Sequence, residues 1–244
     1  MEEYTFEELD LQDISIVLAI SNNNPAILTP NFLQGSGIVP TDWKLVGPPT
    51  FSPAFTQVGF DNGITVSANY QTVIFGERLA QDQPLEALKT PQIVSQYLTT
   101  LPHLDYHAIG INPIRFITFE NRSLTAHQYM TEKLLNQAVW QKNGITPTQI
   151  ALNVSYTLER SQLQLIIKEV QLQLPGREVP AVMFGGNFHY APCHSDSEEE
   201  RLHSFKQILA DCPADLRLYH NLLDQQFLVG ITSKSISTVS LTTV

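Results

Sequence analysis

Apolar and polar residues alternate along most of this chain, and the period lengthens to that of a helix only in a few windows. Residues 14–20 (ISIVLAI) form an apolar, β-branched run of strand length, broken by Asn22, Asn23, Asn24 and Pro25. Phe55 to Phe60 leads into Asp61-Asn62-Gly63, and Ile64 to Tyr70 leads out, which predicts a β-hairpin closed by a type I′ turn. In the outgoing strand Ile64, Val66, Ala68 and Tyr70 share one face; Thr65, Ser67 and Asn69 take the other, assigned to solvent. A third strand, Thr72 to Phe75, ends at Gly76. Pro91 then opens a helix to about Thr100 with a stripe of Ile93, Val94, Tyr97 and Leu98. Residues 105–119 return as strand, with Pro113 expected to mark a bend or bulge.

The second half repeats the scheme. A helix is expected over about 124–139, then Thr146-Pro147 breaks the chain. Ile150 to Leu158 and Ser161 to Leu174 read as strands joined at Glu159-Arg160. In the longer one the apolar phase changes from Leu163, Leu165 and Ile167 to Val170, Leu172 and Leu174, which predicts a β-bulge or sharp coil near Lys168. Val182-Met183-Phe184-Gly185 echoes Val73-Ile74-Phe75-Gly76, and each precedes a helical segment. Ser195 or Ser197 can cap the second of these helices, where Glu198, Glu199 and Glu200 complement the positive end of its dipole. A separate helix is expected from Asp215 to about Phe227, then a Ser/Thr-rich edge strand or frayed tail. The pattern is βββα twice, which reads either as an internal duplication or as two ordinary meanders. It predicts an α+β fold of mostly antiparallel sheet with helices on one face. The halves divide at 1–122 and 123–244 and are read as one continuous domain.

Six prolines fall between Pro25 and Pro53, so neither a long helix nor a central strand fits there. Yet Ile27, Leu28, Phe32, Leu33, Ile38, Val39, Trp43, Leu45 and Val46 are too apolar for a free linker. The expectation is an ordered connection that wraps the sheet edge.

Composition then narrows the class. The 244 residues are 43% hydrophobic and 16% charged, with a net charge of −10. Residues 1–120 hold four basic and 13 acidic residues, net −9; residues 121–244 hold ten and 11, net −1. So acidic a chain lacks the cations that displace counterions from phosphates, and no nucleic-acid partner is expected. No apolar run nears the ~20 residues of a membrane span. The acidic start MEEYTFEELDLQD has no signal-peptide core, and two cysteines make no disulfide framework, so a cytoplasmic location is expected.

Candidate chemistry is thin. His189-Tyr190-Ala191-Pro192-Cys193-His194 is rich in ligand types but has no CxxC pair, so no metal is assigned. His103, Asp105 and His107 would share one face of a strand and could seat a general base. Cys193 lies near His189, without an orienting third group. There is no G-x-S-x-G elbow and no phosphate loop, and no cofactor is expected.

Asn24-Pro25-Ala26-Ile27-Leu28-Thr29-Pro30-Asn31-Phe32-Leu33 and Ser36-Gly37-Ile38-Val39-Pro40-Thr41-Asp42-Trp43 resemble the N-terminal signature of an uncharacterised bacterial family common in cyanobacteria. Phe60-Asp61-Asn62-Gly63-Ile64 and Val73-Ile74-Phe75-Gly76-Glu77 are similar to its next blocks, so the resemblance covers about residues 16–78. The layout more distantly resembles a sporadically distributed prokaryotic family of two-part α+β proteins, through Gly110-Ile111-Asn112. Neither resemblance implies an activity. The residues favour a non-enzymatic interaction or assembly protein that binds a protein partner or itself, with Gly37, Pro40, Asp42 and Trp43 as binding residues. The alternative is a hydrolase or small-ligand-binding protein with a pocket between sheet and helices, rimmed by His103, Asp105, His107, His189 and Cys193.

Overall fold

The structure is a computed structural model that describes residues 5–79, 83–119, 125–135, 148–174, 176–190, 197–229 and 232–233, with backbone alone at 5–12, 174 and 232–233. Its strands are β1 (Thr5–Ser21), β2 (Thr50–Phe51), β3 (Thr56–Gly59), β4 (Ile64–Ala68), β5 (Thr72–Arg78), β6 (Asp105–Thr118), β7 (Ala151–Thr157), β8 (Gln162–Leu174), β9 (Arg177–Tyr190) and β10 (Thr232–Ser233). The helices are α1 (Pro30–Gly35), α2 (Thr90–Thr100), α3 (Ala126–Gln128, continued as a wider turn over Tyr129–Leu134) and α4 (Glu198–Leu222, continued likewise over Leu223–Phe227). This is an α+β fold.

One sheet runs through both halves in the order β2-β3-β4-β5-β1-β6-β9-β8-β7, antiparallel throughout that path, with β10 parallel to the start of β1. The order is symmetric about the β1–β6 pair. The β3–β5 meander folds back onto β1, and the β7–β9 meander folds back onto β6.

Strand alternation gives the sheet two unlike faces. On one, Val58, Val66, Phe75, Ile16, Ile111, Phe188, Leu163 and Tyr156 line up across eight strands. All but Tyr156 are fully buried. The helices pack here: Tyr97 of α2 meets Phe75 edge-on at 5.2 Å, and Tyr219 of α4 donates to the Phe184 carbonyl at 2.6 Å. On the other face the adjacent row reads Gly59, Thr65, Gly76, Ser15, Asn112, Asn187, Gln164 and Ser155. There Asn187 donates to the Asn112 side chain at 2.5 Å, so the face satisfies part of its own polar demand and needs no helix above it.

Several expectations are corrected. The 61–63 turn is not type I′, because Gly63 has a positive φ (85°) but Asn62 does not. The Gly63 amide closes onto Phe60, a type I turn followed by a glycine bulge. Tyr70 lies beyond β4 and is exposed, its hydroxyl on the Pro53 carbonyl. On the β9 side no shift occurs at Pro113, since Ile111↔Phe188 and Ile114↔Gly185 keep one register across it; on the β1 side the register shifts just beyond it, between Asp13↔Ile114 and Leu9↔Phe116. Nor is there a bulge at Lys168, since β8 and β9 pair without interruption from Gln162↔His189 to Leu174↔Arg177. The phase change has another cause: Val170 and Leu172 join a second apolar cluster on the opposite face, with Phe116, Val179 and Ala181. A single helix replaces the two expected after Ser197. Pro213 sits inside α4, and the buried stripe of Phe205, Leu209, Cys212, Leu216 and Tyr219 continues through it. Leu124 and Ala138, expected in the third helix, lie outside the described residues.

Candidate functional site

The two ends of the sheet are finished differently, and the first carries the exposed apolar surface. The outer edge of β3 is covered from within the chain: Thr50 and Phe51 of β2 pair with Gln57 and Thr56, Leu45 bridges Phe60, and the Val46 amide donates to the Gly59 carbonyl at 3.0 Å. Prolines 48, 49 and 53 confine β2 to two residues. The proline-rich segment upstream is ordered, as expected, with Leu28, Leu33, Ile38 and Val39 buried. Thr29 caps α1 by accepting from the Phe32 amide.

The predicted binding residues sit at the start of this cover. Gly37, Pro40 and Asp42 are exposed, and Gly37 takes a positive φ of 72° that favours glycine. Trp43 is a half-buried anchor, edge-on to Phe60 at 5.4 Å with the Lys89 ammonium 5.6 Å above its ring. The more exposed surface lies just beyond. Leu45, Val46, Phe51, Phe55 and Tyr70 are five of the eight exposed large apolar residues among those described, and Val46 is 75% exposed. Sequence reasoning placed Leu45 and Val46 in the wrap and Phe55 and Tyr70 in strands, and so missed the rim they form with Phe51. The signal was the run of prolines on either side of Phe51, which prevents β2 from burying both faces.

The pocket candidates do not converge. His103 precedes β6 and pairs with Glu198 at the start of α4, 3.0 Å away. Asp105 and His107 do share an exposed strand face, where the His107 Nε2 meets Ser21 Oγ and lies 3.6 Å from the Asp105 carboxylate. Because hydroxyl and carboxylate share one ring nitrogen, no carboxylate orients the imidazole from behind, as a nucleophilic triad requires. His189 is exposed on the polar face, opposite Gly110 and Gln162. Cys193 lies outside the described residues. The other cysteine, Cys212, is fully buried, and burial, with Asp215 and Glu77 nearby, pushes its thiol up to about 12, so it is held unreactive. Among the described residues no three His, Cys, Asp or Glu side chains converge as a cation site.

The buried polar groups that sequence reasoning missed fasten helices to the sheet. Glu77 of β5 accepts from the Lys89 and Thr90 amides, the Thr90 hydroxyl and the Gln83 amide, holding the first turn of α2. Asp215 of α4 accepts from the Tyr190 hydroxyl at 2.5 Å and from Arg160 at 2.8 Å. Burial raises the Asp215 carboxyl above its usual range, and these two partners oppose the shift. Arg115 of β6 reaches Asp224 at 2.9 Å beneath His220, whose imidazole is lowered to about 4 by burial and by the Arg115 charge. Each group links one element to another.

No described helix is long and apolar enough to cross a membrane. No protein-family model matches the chain, and no curated protein sequence matches it.

Proposed function

We propose that this chain is a non-enzymatic interaction and assembly protein that docks a protein partner through the apolar rim at the β2–β3 end of its sheet. One observation carries the reading: five of the eight exposed large apolar side chains among those described, Leu45, Val46, Phe51, Phe55 and Tyr70, lie on or beside the segments that close the β3 edge. Scattered exposed apolar residues need no explanation, whereas a gathered set marks a contact surface. The segment that presents them is fixed, because Gln34 donates to the Trp43 carbonyl at 2.9 Å and Trp43 is anchored on Phe60.

The alternative, an enzyme or small-ligand protein, draws its support from the Ser21–His107–Asp105 cluster. That cluster is exposed at a strand end and lacks the orienting carboxylate, so the interaction reading is favoured.

A pull-down from host extract with the wild-type chain and with a Val46→Asp/Phe51→Asp variant tests the reading. Both positions are exposed, so the variant is expected to keep the wild-type stability within about 0.5 kcal/mol. It should lose the proteins that the wild type retains. Equal retention by both chains would contradict the rim as a docking surface.

A further inference from the structure

At the equivalent position in the other half, the described residues supply no such cover. β7 stands to its meander as β3 does to the first, yet among the described residues no strand lies beyond it. Its outer edge therefore offers main-chain amides and carbonyls along seven residues, Ala151–Thr157. Natural edge strands are kept from pairing by being short, by proline, by charge or by a cover. The β3 end uses proline and a cover. β7 uses none of these within its span, because residues 148–158 (TQIALNVSYTL) hold neither a proline nor a charged side chain. Without charge along this span, a second equally acidic copy can approach it without direct repulsion.

We infer that the occupant of this edge is a second copy of the chain, paired antiparallel through β7 about a twofold axis at Val154. The inference rests on the assembly part of the reading above and is independent of the rim. An axis perpendicular to the sheet keeps the helices of both copies on one side, and the strand is self-complementary about it. Asn153 then faces Ser155 of the second copy, an amide opposite a hydroxyl on the exposed polar face. Leu152 faces Tyr156 and Val154 faces Val154 on the half-buried face. Pairing over the seven residues makes about six to eight main-chain hydrogen bonds, whichever set of amides points outward. The strand is anchored from its own chain, with the Tyr156 hydroxyl on Gln226 at 2.9 Å and Leu152, Val154 and Tyr156 packed on the core.

Sedimentation velocity over a concentration series, on the full chain and two double variants, tests both the partner and the register. In the proposed register Asn153→Lys/Ser155→Lys sets lysine opposite lysine twice. Asn153→Lys/Ser155→Glu sets lysine opposite glutamate twice at the same two exposed positions. The wild type should form a dimer, the double-lysine variant should dimerise at least about tenfold more weakly, and the lysine–glutamate variant should return to within about threefold of the wild type. Three results would overturn the inference: a wild type that stays monomeric, a double-lysine variant that dimerises like the wild type, or a lysine–glutamate variant as weak as the double-lysine one. A Val46→Asp/Phe51→Asp chain that dimerises normally but loses its captured partners separates failure of this inference from failure of the rim.

Discussion

The two ends of the sheet solve the same problem in opposite ways. At one end β3 is four residues long and is closed over by residues 45–51 of its own chain. At the other, β7 is seven residues long, uncharged and, among the described residues, unpaired on its outer side. Beneath these unlike ends the halves are built alike. Each folds a three-stranded meander onto a central strand, and each fixes its main helix with one buried carboxylate, Glu77 below α2 and Asp215 in α4. Alike in this layout, the halves diverge at their edges.

The likeness beneath the edges can be broken first. Glu77→Ala strands two backbone amides, a hydroxyl and an amide group, and should lower unfolding stability by about 3–4 kcal/mol in urea titrations. Asp215→Ala removes the acceptor of Tyr190 and Arg160 and should cost about 2–3 kcal/mol, less because Arg160 can turn to water. If either change were silent, its carboxylate would not be holding its helix.

A subtler pair compares the packing of the two halves. A methyl at Gly186 would sit 2.9 Å from the Tyr219 ring and 3.0 Å from Pro113, both fixed, so Gly186→Ala should cost about 2 kcal/mol. A methyl at Gly76 would sit 2.6 Å from the Thr65 hydroxyl, with the next atoms 4.0 Å away; Thr65 is exposed on the polar face and can change rotamer, so Gly76→Ala should cost under about 1 kcal/mol. Equal costs would show that the face above Gly76 is as closed as the one above Gly186.

The smallest effect is a pH dependence confined to the second half. His220 has a folded pKa of about 4, below the value near 6.5 of an unfolded chain. The unfolded state therefore takes up the proton first. The contribution is full above pH 6.5 and is lost as pH falls from there toward 4. The loss should be on the order of 1 kcal/mol by pH 6, and His220→Gln should flatten that slope. Parallel slopes for the two chains would assign the pH dependence to other groups.

Much of this fold was legible because local patterns reported it. The run 14–20, the alternation at 64–68 and the helix after Pro91 all appear where one buried face dictates the period. Errors arose where two states share a signal. Asn62-Gly63 suits a type I′ turn and equally a type I turn with a glycine bulge. The change of apolar phase in β8 looks like a bulge, but also fits a straight strand with an apolar cluster on each face. A separate helix was expected from Asp215, and the buried stripe running through Pro213 joins it to the one before. Cross-strand neighbours are not written in local spacing at all: Asp105 and His107 were seen together, whereas Ser21, paired from β1, was not. For the same reason the β7 sequence was read as a strand without any sign that it would be an edge.

Amide hydrogen exchange along β7 at increasing protein concentration tests the central claim most directly. If a second copy occupies this edge, the outward-facing amides within Ala151–Thr157 should exchange more slowly as concentration rises, while those of the inner strand β8 stay constant. Exchange along β7 that is fast and independent of concentration would contradict it.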